Sequence, residues 1–441
     1  MLKNTTYTYL LALMLFGACS GFLDEKPNKN ILVPESVSEY EALIDNFDQV
    51  NVTPVLPFVY ADDYYTSASN WQRFLPWQQN AYFWSDDPYL PDEGPLDYFL
   101  MYRKIFYTNI ILDKVNSAPD WSLADQERLR GKALFWRAHA YYELAILHLP
   151  IPGGGIDGAG YFIPLVTDAD LASTKRNASA EEMFSLIIED LENSLTLLPE
   201  VPEYATQPSK YAGYALLARI NLYLGKYEKA RQYAGQVLTG PFTLMDYGML
   251  DSTSSYPFEL FNSETVLFTA MATQGTVSND NIAYVSAELM GSFDSLDLRL
   301  PLYTFFNDFG TISFRGSYTG DYTAFTGIGL DEVYLILAES NVRLGNEEEG
   351  LENLISLLEK RYSGELQLML GDEELLGAVL SERRKSLLFR GQRWADLKRF
   401  SYWDNQDDML KRSLDEEEIL FESKPENFLL KIAQRELAFM E

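Results

Sequence analysis

The sequence contains a single cysteine, Cys19, and only two histidines, His139 and His148. One cysteine rules out an internal disulfide framework. The histidines fall nine residues apart, about half a turn off a full helical repeat, which argues against a shared metal ion. Phosphate-cradling P-loop, dinucleotide glycine and HExxH patterns are all missing. Basic residues are scarce as well: 35 Lys and Arg stand against 65 Asp and Glu, a net charge of −30. Such a field repels phosphate backbones and anionic lipid, so nucleic acid is excluded as a partner. Past the amino terminus, no run is long and apolar enough to span a bilayer.

The amino terminus itself is patterned. Lys3 precedes an apolar run from Leu10 to Phe16, then the small residues Gly17 and Ala18, then Cys19. This is the layout of a secretory signal peptide with a cysteine at the cleavage point. The spacing predicts a leader over residues 1–18 and lipid attachment, palmitate included, at Cys19. Each buried CH₂ of an acyl chain adds about 0.8 kcal/mol of membrane affinity.

Beyond the tether the pattern is helical. Periodic apolar positions predict helices over 36–47, 102–115 and 123–149. Ser179 and Glu182 read as a capping box for another, with Met183, Ile187, Leu191 and Leu195 as its buried stripe. Residues 209–224 and the helix from Tyr227 flank Gly225. Residues 331–344 and the helix carrying Leu351, Leu354 and Leu358 flank Gly345. Helix, glycine turn and helix, with alanines at the contact, is tetratricopeptide grammar. The expected fold is mainly α: tetratricopeptide-like helix pairs in a right-handed scaffold, forming one domain over 19–441. Irregular insertions are expected near 48–98, 150–178 and 240–330, with short strands over 266–269 and 311–314.

Several segments resemble one family in one order. Cys19 is followed by Phe22-Leu23-Asp24 and Pro27. Leu134-Phe135-Trp136-Arg137-Ala138 leads to Tyr141 and Ile151-Pro152. Ala215-Leu216-Leu217-Ala218-Arg219 precedes Gly225. The carboxy-terminal block is the most specific: Glu332-Val333-Tyr334-Leu335-Ile336 with Ala338-Glu339, then Glu382-Arg383-Arg384, Gly391-Gln392-Arg393, Asp396-Leu397 and Arg399. Together they resemble the SusD/RagB family of outer-membrane nutrient-binding lipoproteins. Arg390 departs from the pattern, standing where an acidic residue is common. The resemblance implies a cell-surface lipoprotein that captures glycan and acts as a lid over a SusC-like TonB-dependent transporter. It leaves open a cargo of peptide or another nutrient.

Sugar rings offer C–H faces to aromatic plates and hydroxyl edges to polar side chains. Residues 60–98 carry both kinds, and three of the seven tryptophans fall between 71 and 84. Candidate glycan contacts here are Asp63, Tyr64, Tyr65, Asn70, Trp71, Trp77 and Trp84. The insertion after residue 240 adds Asn279, Asn281, Tyr284, Arg315, Tyr318 and Tyr322. Trp136 and Trp394 sit in patterned helices and are expected in the core.

Enzyme chemistry has few carriers. The pairs Asp62-Asp63 and Asp86-Asp87 could be imagined as glycosidase carboxylates or as oxygen ligands of a calcium ion. With acids this abundant, solvated surface is the simpler account, so neither catalysis nor a resident cofactor is expected. Arg383, Arg384, Arg393 and Arg399 are expected to tie carboxylates such as Glu382 and Asp396 between helices.

Overall fold

The computed structural model describes residues 34–156, 160–170, 176–272, 282–364, 374–404, 409–414 and 417–437. Cys19 and its leader lie outside the described residues. Contacts divide the chain into a unit ending at Tyr40 and one starting at Glu41. Of the first unit, residues 34–40 are described and carry the opening of the helix Val37–Ile44. All the elements that follow belong to the second.

Its long helices are α1 (Leu96–Ser117), α2 (Leu123–His148), α3 (Ala180–Leu195), α4 (Lys210–Tyr223), α5 (Tyr227–Val237), α6 (Leu330–Arg343), α7 (Glu347–Leu358), α8 (Leu375–Ser386) and α9 (Arg393–Trp403). Neighbours pack in succession: α1 on α2, α2 on α3, α4 on α5, α5 on α6, α6 on α7 and α8. The protein is therefore mainly helical, and its helix pairs are tetratricopeptide-like.

The two glycine turns share one geometry. Gly225 has φ +67° and Gly345 φ +80°. In the first, Gly225 N donates to Leu222 O (3.0 Å) and Lys226 N to Asn221 O (2.8 Å). In the second, Gly345 N donates to Val342 O (3.0 Å) and Asn346 N to Asn341 O (2.8 Å). Both are Schellman turns, in which a left-handed residue lets the last helical carbonyls find donors. Ala215, Ala218, Ala230, Ala234 and Ala338 are fully buried, so the paired backbones lie close.

The expected capping box is present at the start of α3. Ser179 accepts from Glu182 N, and Glu182 accepts from Ser179 N. Helix α1 starts at Leu96, ahead of the expected Tyr102. The Asp97 carboxylate there accepts from Val55 N (2.9 Å) and Leu56 N (2.7 Å), a tertiary reason that no local period reveals.

Helix α2 lies at the centre, and every residue from Gly131 to Pro150 is buried. A helix apolar on one stripe only could not sit there, so its polar residues need internal partners. Arg137 forks onto Asp190 (2.8 and 2.9 Å) and reaches Asn109 Oδ1 (3.1 Å). The exit end is closed by Lys398 from α9, whose Nζ donates to Ile146 O (2.9 Å) and Leu149 O (2.7 Å). These carbonyls have no partner within the helix. Leu430 N adds a bond to Leu147 O (3.0 Å), and the His148 Nδ1 to Leu430 O distance is 2.9 Å. Both histidines are packing residues. Burial lowers both: His148 falls to about 4, and His139 well below its usual value.

The arginines of the carboxy-terminal block are structural. Arg383 binds Asp396 (2.8 Å), and Arg399 binds Glu339 and Asp396. Arg390 binds Asp331 (2.9 Å) beneath the Tyr318 ring. Trp136 and Trp394 are fully buried, as expected.

The insertions differ from expectation in one respect. Residues 48–98 hold short helices Leu56–Tyr60, Ala68–Trp71 and Pro76–Tyr82. None is long enough for an apolar period to repeat. The strands anticipated near 266–269 and 311–314 occur as Thr265–Leu267 and Ile312–Phe314. Three further strands matter for the site: β1 (Tyr64–Tyr65), β2 (Tyr284–Val285) and β3 (Met409–Leu414). Strand β3 forms an antiparallel hairpin with β4 (Glu417–Glu422).

Candidate ligand-binding site

The two insertions meet through β1 and β2. Tyr64 lies opposite Val285 and Tyr65 opposite Tyr284 in an antiparallel pair. Thr66 Oγ1 donates to Ile282 O (2.6 Å) and Ser286 N to Asp63 O (2.8 Å), fixing the register at both ends. Cross-strand partners share a face. The Tyr65 and Tyr284 rings accordingly lie 5.4 Å apart, tilted by 56°. Asn70 Nδ2 donates to the Tyr284 hydroxyl (3.1 Å). Tyr65 is exposed and Tyr284 buried behind it, so the pair presents one ring outward on a rigid backing.

Tyr65 stands at the edge of a cleft of about 1030 Å³. Its walls come from β1, the segment from Ser286 to Ser292, Leu380, Ser381 and Arg384 of α8, Arg393, Leu397 and Phe400 of α9, and β3. Arg384 bridges Asp62 (3.1 Å), Asp63 (3.2 Å) and the exposed Glu288 (2.8 Å). Arg393 forks onto Asp62 at 2.7 and 2.9 Å. Burial pushes the Asp62 carboxyl up, but the Arg393 and Arg384 charges overcome it and hold Asp62 well below the usual range. Asp63 is shifted the other way, because burial and the neighbouring Asp62 charge outweigh Arg384. Both carboxylates are engaged by arginine.

Strand β3 supplies a wall that sequence patterning missed. Its inward positions are Leu410, Arg412 and Leu414. A charged residue at an inward position hides the alternation that signals a strand. Arg412 donates to Tyr82 O (2.6 Å), Val59 O (2.7 Å) and Ala61 O. Its guanidinium lies over Tyr64, Tyr82 and Trp84, with 4.3 Å to the Trp84 ring.

The structure brings together Asp63, Tyr64, Tyr65, Asn70 and Tyr284. Trp71, half-buried, follows Asn70 in the same short helix, its ring edge-on to Phe83 at 5.3 Å. Of the remaining candidates several sit in the core or away from the cleft, and Tyr64 offers it no ring face, which corrects the expectation for them. Trp77 is 4% exposed and packs against Tyr89. Trp84 is 7% exposed, donates to Tyr60 O (2.9 Å) and packs against Phe421. Tyr64 is buried under Arg412, so it shapes the cleft wall without offering a ring face. Tyr318 is fully buried, with its hydroxyl 2.7 Å from Glu264 and 3.2 Å from Asp331. Arg315 staples loops through Ser252 O (3.0 Å), Ser254 O (2.6 Å) and Thr304 O (3.1 Å). Tyr322 is exposed but does not line the cleft. Asn279 and Asn281 lie outside the described residues. Aromatic density could not separate these rings, since core packing uses the same residues.

Among the described residues no group of three His, Cys, Asp or Glu side chains could hold a metal, and no helix is long and apolar enough to cross a membrane.

Two family models match the chain. One, described as "Starch-binding associating with outer membrane", covers residues 21–222. The other, described as "SusD family", covers residues 304–433. SusD-like protein P2 of Formosa agariphila is 23% identical over 61% of this chain and 64% of its own length. SusD-like protein P38 of the same organism is 26% identical over 52% of this chain and 44% of its own length. The matched part thus spans less than two thirds of either relative. A crystallised SusD superfamily protein of Bacteroides thetaiotaomicron superposes with a TM-score of 0.75 at 19% identity, covering 92% of this chain and 98% of that one. A SusD-like carbohydrate-binding protein of Bacteroides vulgatus gives 0.66 at 17% identity, with coverages of 92% and 97%. At such identities the likeness establishes the fold. With one family's models matching both ends of the chain and its fold shared throughout, the chain belongs to the SusD/RagB family.

Proposed function

We propose that this protein is a cell-surface glycan-binding lipoprotein that captures oligosaccharide and passes it to a SusC-like TonB-dependent transporter. The observation that carries the reading is the Tyr65–Tyr284 pair at the rim of the 1030 Å³ cleft. One ring is free to stack under a sugar face. The exposed Glu288 and Lys411 offer an acceptor and a donor to hydroxyl groups nearby. Trp71, in the short helix that follows β1, is a further candidate ring. The description of the matching family, starch-binding at the outer membrane, supports the same cargo class. Cys19, preceded by its short apolar leader, supplies the lipid anchor.

Asp62 and Asp63 act in this reading as arginine anchors, which favours binding without turnover. The test is a glycan array and affinity electrophoresis on the soluble chain beginning after Cys19. Retention that falls at least about tenfold in Tyr65→Ala, about 1.4 kcal/mol, supports the site. Silence across the array, with co-purification of an outer-membrane barrel, would favour a lid whose cargo is peptide or another nutrient.

A further inference from the structure

A second cleft, of about 550 Å³, lies apart from the one at Tyr65 and shares no lining residue with it. Its apolar walls include Phe47, Leu100, Leu260, Phe268 and Met271. Phe268 is buried, and two exposed rings lean on it: Phe47 at 5.5 Å and Phe261 at 5.1 Å. Phe261 has φ +56°, a left-handed conformation that bulky residues rarely adopt. Surrounding packing must over-determine such a residue, and strain of this kind clusters at ligand clamps.

The polar atoms of this cleft share one character. Asp48 and Asp321 are exposed carboxylates in its lining. Asn51 is 2% exposed, and its Nδ2 donates to Thr206 O (2.9 Å) and Phe268 O (2.7 Å). Those two acceptors fix the orientation of the amide. Its Oδ1 receives no hydrogen bond among the described residues, which leaves a nearly buried acceptor for a ligand. Thr319 Oγ1 is turned inward to Thr323 O (2.7 Å). Among the described residues no Lys or Arg lines the cleft. A sugar hydroxyl both donates and accepts, so a saccharide site mixes the two kinds of group. This one is dominated by acceptors around an apolar body.

We propose that this cleft binds a small amphipathic cation, a primary ammonium or guanidinium on an apolar stem. The stem packs against Phe47, Phe268 and Met271. The cationic head donates to Asn51 Oδ1 and is held by the Asp48 and Asp321 charges, in a chain of net charge −30. The site is independent of the glycan reading.

The test uses phenethylamine against its neutral counterpart 2-phenylethanol, titrated calorimetrically into the soluble chain at low salt. The amine should bind at least about tenfold more tightly, and that advantage should shrink as salt rises. The double variant Asp48→Asn with Asp321→Asn should remove most of the advantage while leaving 2-phenylethanol binding and the melting temperature unchanged. Tyr65→Ala should leave amine binding unaltered, so the two sites fail or succeed separately. Equal affinity for the two probes, no binding of either, or full amine affinity in the double variant overturns the proposal.

Discussion

Arg219 reaches across from α4 to clasp Glu332 on α6, with Nε–Oε1 at 2.9 Å and Nη2–Oε2 at 2.6 Å, both side chains nearly or wholly buried. Truncating one partner of a buried pair strands the other charge, at a cost of about 3–5 kcal/mol. Arg219→Ala should therefore lower the urea midpoint sharply. Arg128→Ala, whose side chain is 40% exposed where it meets Glu41 and Asp125, should change the unfolding free energy by about 1 kcal/mol or less and the midpoint correspondingly little. Equal effects would contradict this assignment of structural weight.

The two Schellman turns allow a paired comparison. At Gly345 a Cβ would meet nothing within 4 Å, so Gly345→Ala should cost only left-handed strain, about 1–2 kcal/mol. At Gly225 the added carbon would lie 2.9 Å from the Trp403 ring, whose Nε1 donates to Tyr223 O. Gly225→Ala should depress the melting temperature further than Gly345→Ala.

Trp77 and Trp71 are near neighbours in sequence but differ in role. Trp77→Ala opens a cavity in the core and should cost about 3–5 kcal/mol of stability. Trp71→Ala should weaken glycan retention with a much smaller loss of stability. Thermal melts and affinity electrophoresis on the same two variants check both halves.

His148 gives a pH signature. Burial lowers its value to about 4, with its bond to Leu430 O opposing and the Lys398 charge adding to the shift. The unfolded chain, near the ordinary 6.5, takes up the proton first as pH falls. Stability carried by neutral His148 is thus fully present above about 6.5 and is lost as pH falls toward 4. Between pH 7.5 and 5 the loss is about 2 kcal/mol. His148→Asn keeps a donor for Leu430 O and should show a correspondingly shallower fall in urea midpoint over that range.

The helix pairs were legible because their signals are local. Ser179 with Glu182, and the glycines at 225 and 345, announce helix ends through short-range chemistry. The site was only half legible. Both insertions showed their aromatic and polar composition, and Tyr65, Asn70 and Tyr284 were picked out from it. Their meeting was invisible, because a two-residue strand pair carries no period. The exposure of Tyr65 against the burial of Trp77, Trp84 and Tyr318 depends on contacts such as Arg412 over Trp84, made across the whole chain.

The bonds that Lys398 and Leu430 make to the end of α2 tie the centre of the molecule to the last part of the chain. While the polypeptide is being synthesised, the carbonyls of Ile146, Leu147 and Leu149 have only water for company until its last part emerges. A chain cut short before residue 398 leaves those three carbonyls, at the buried end of α2, without these donors.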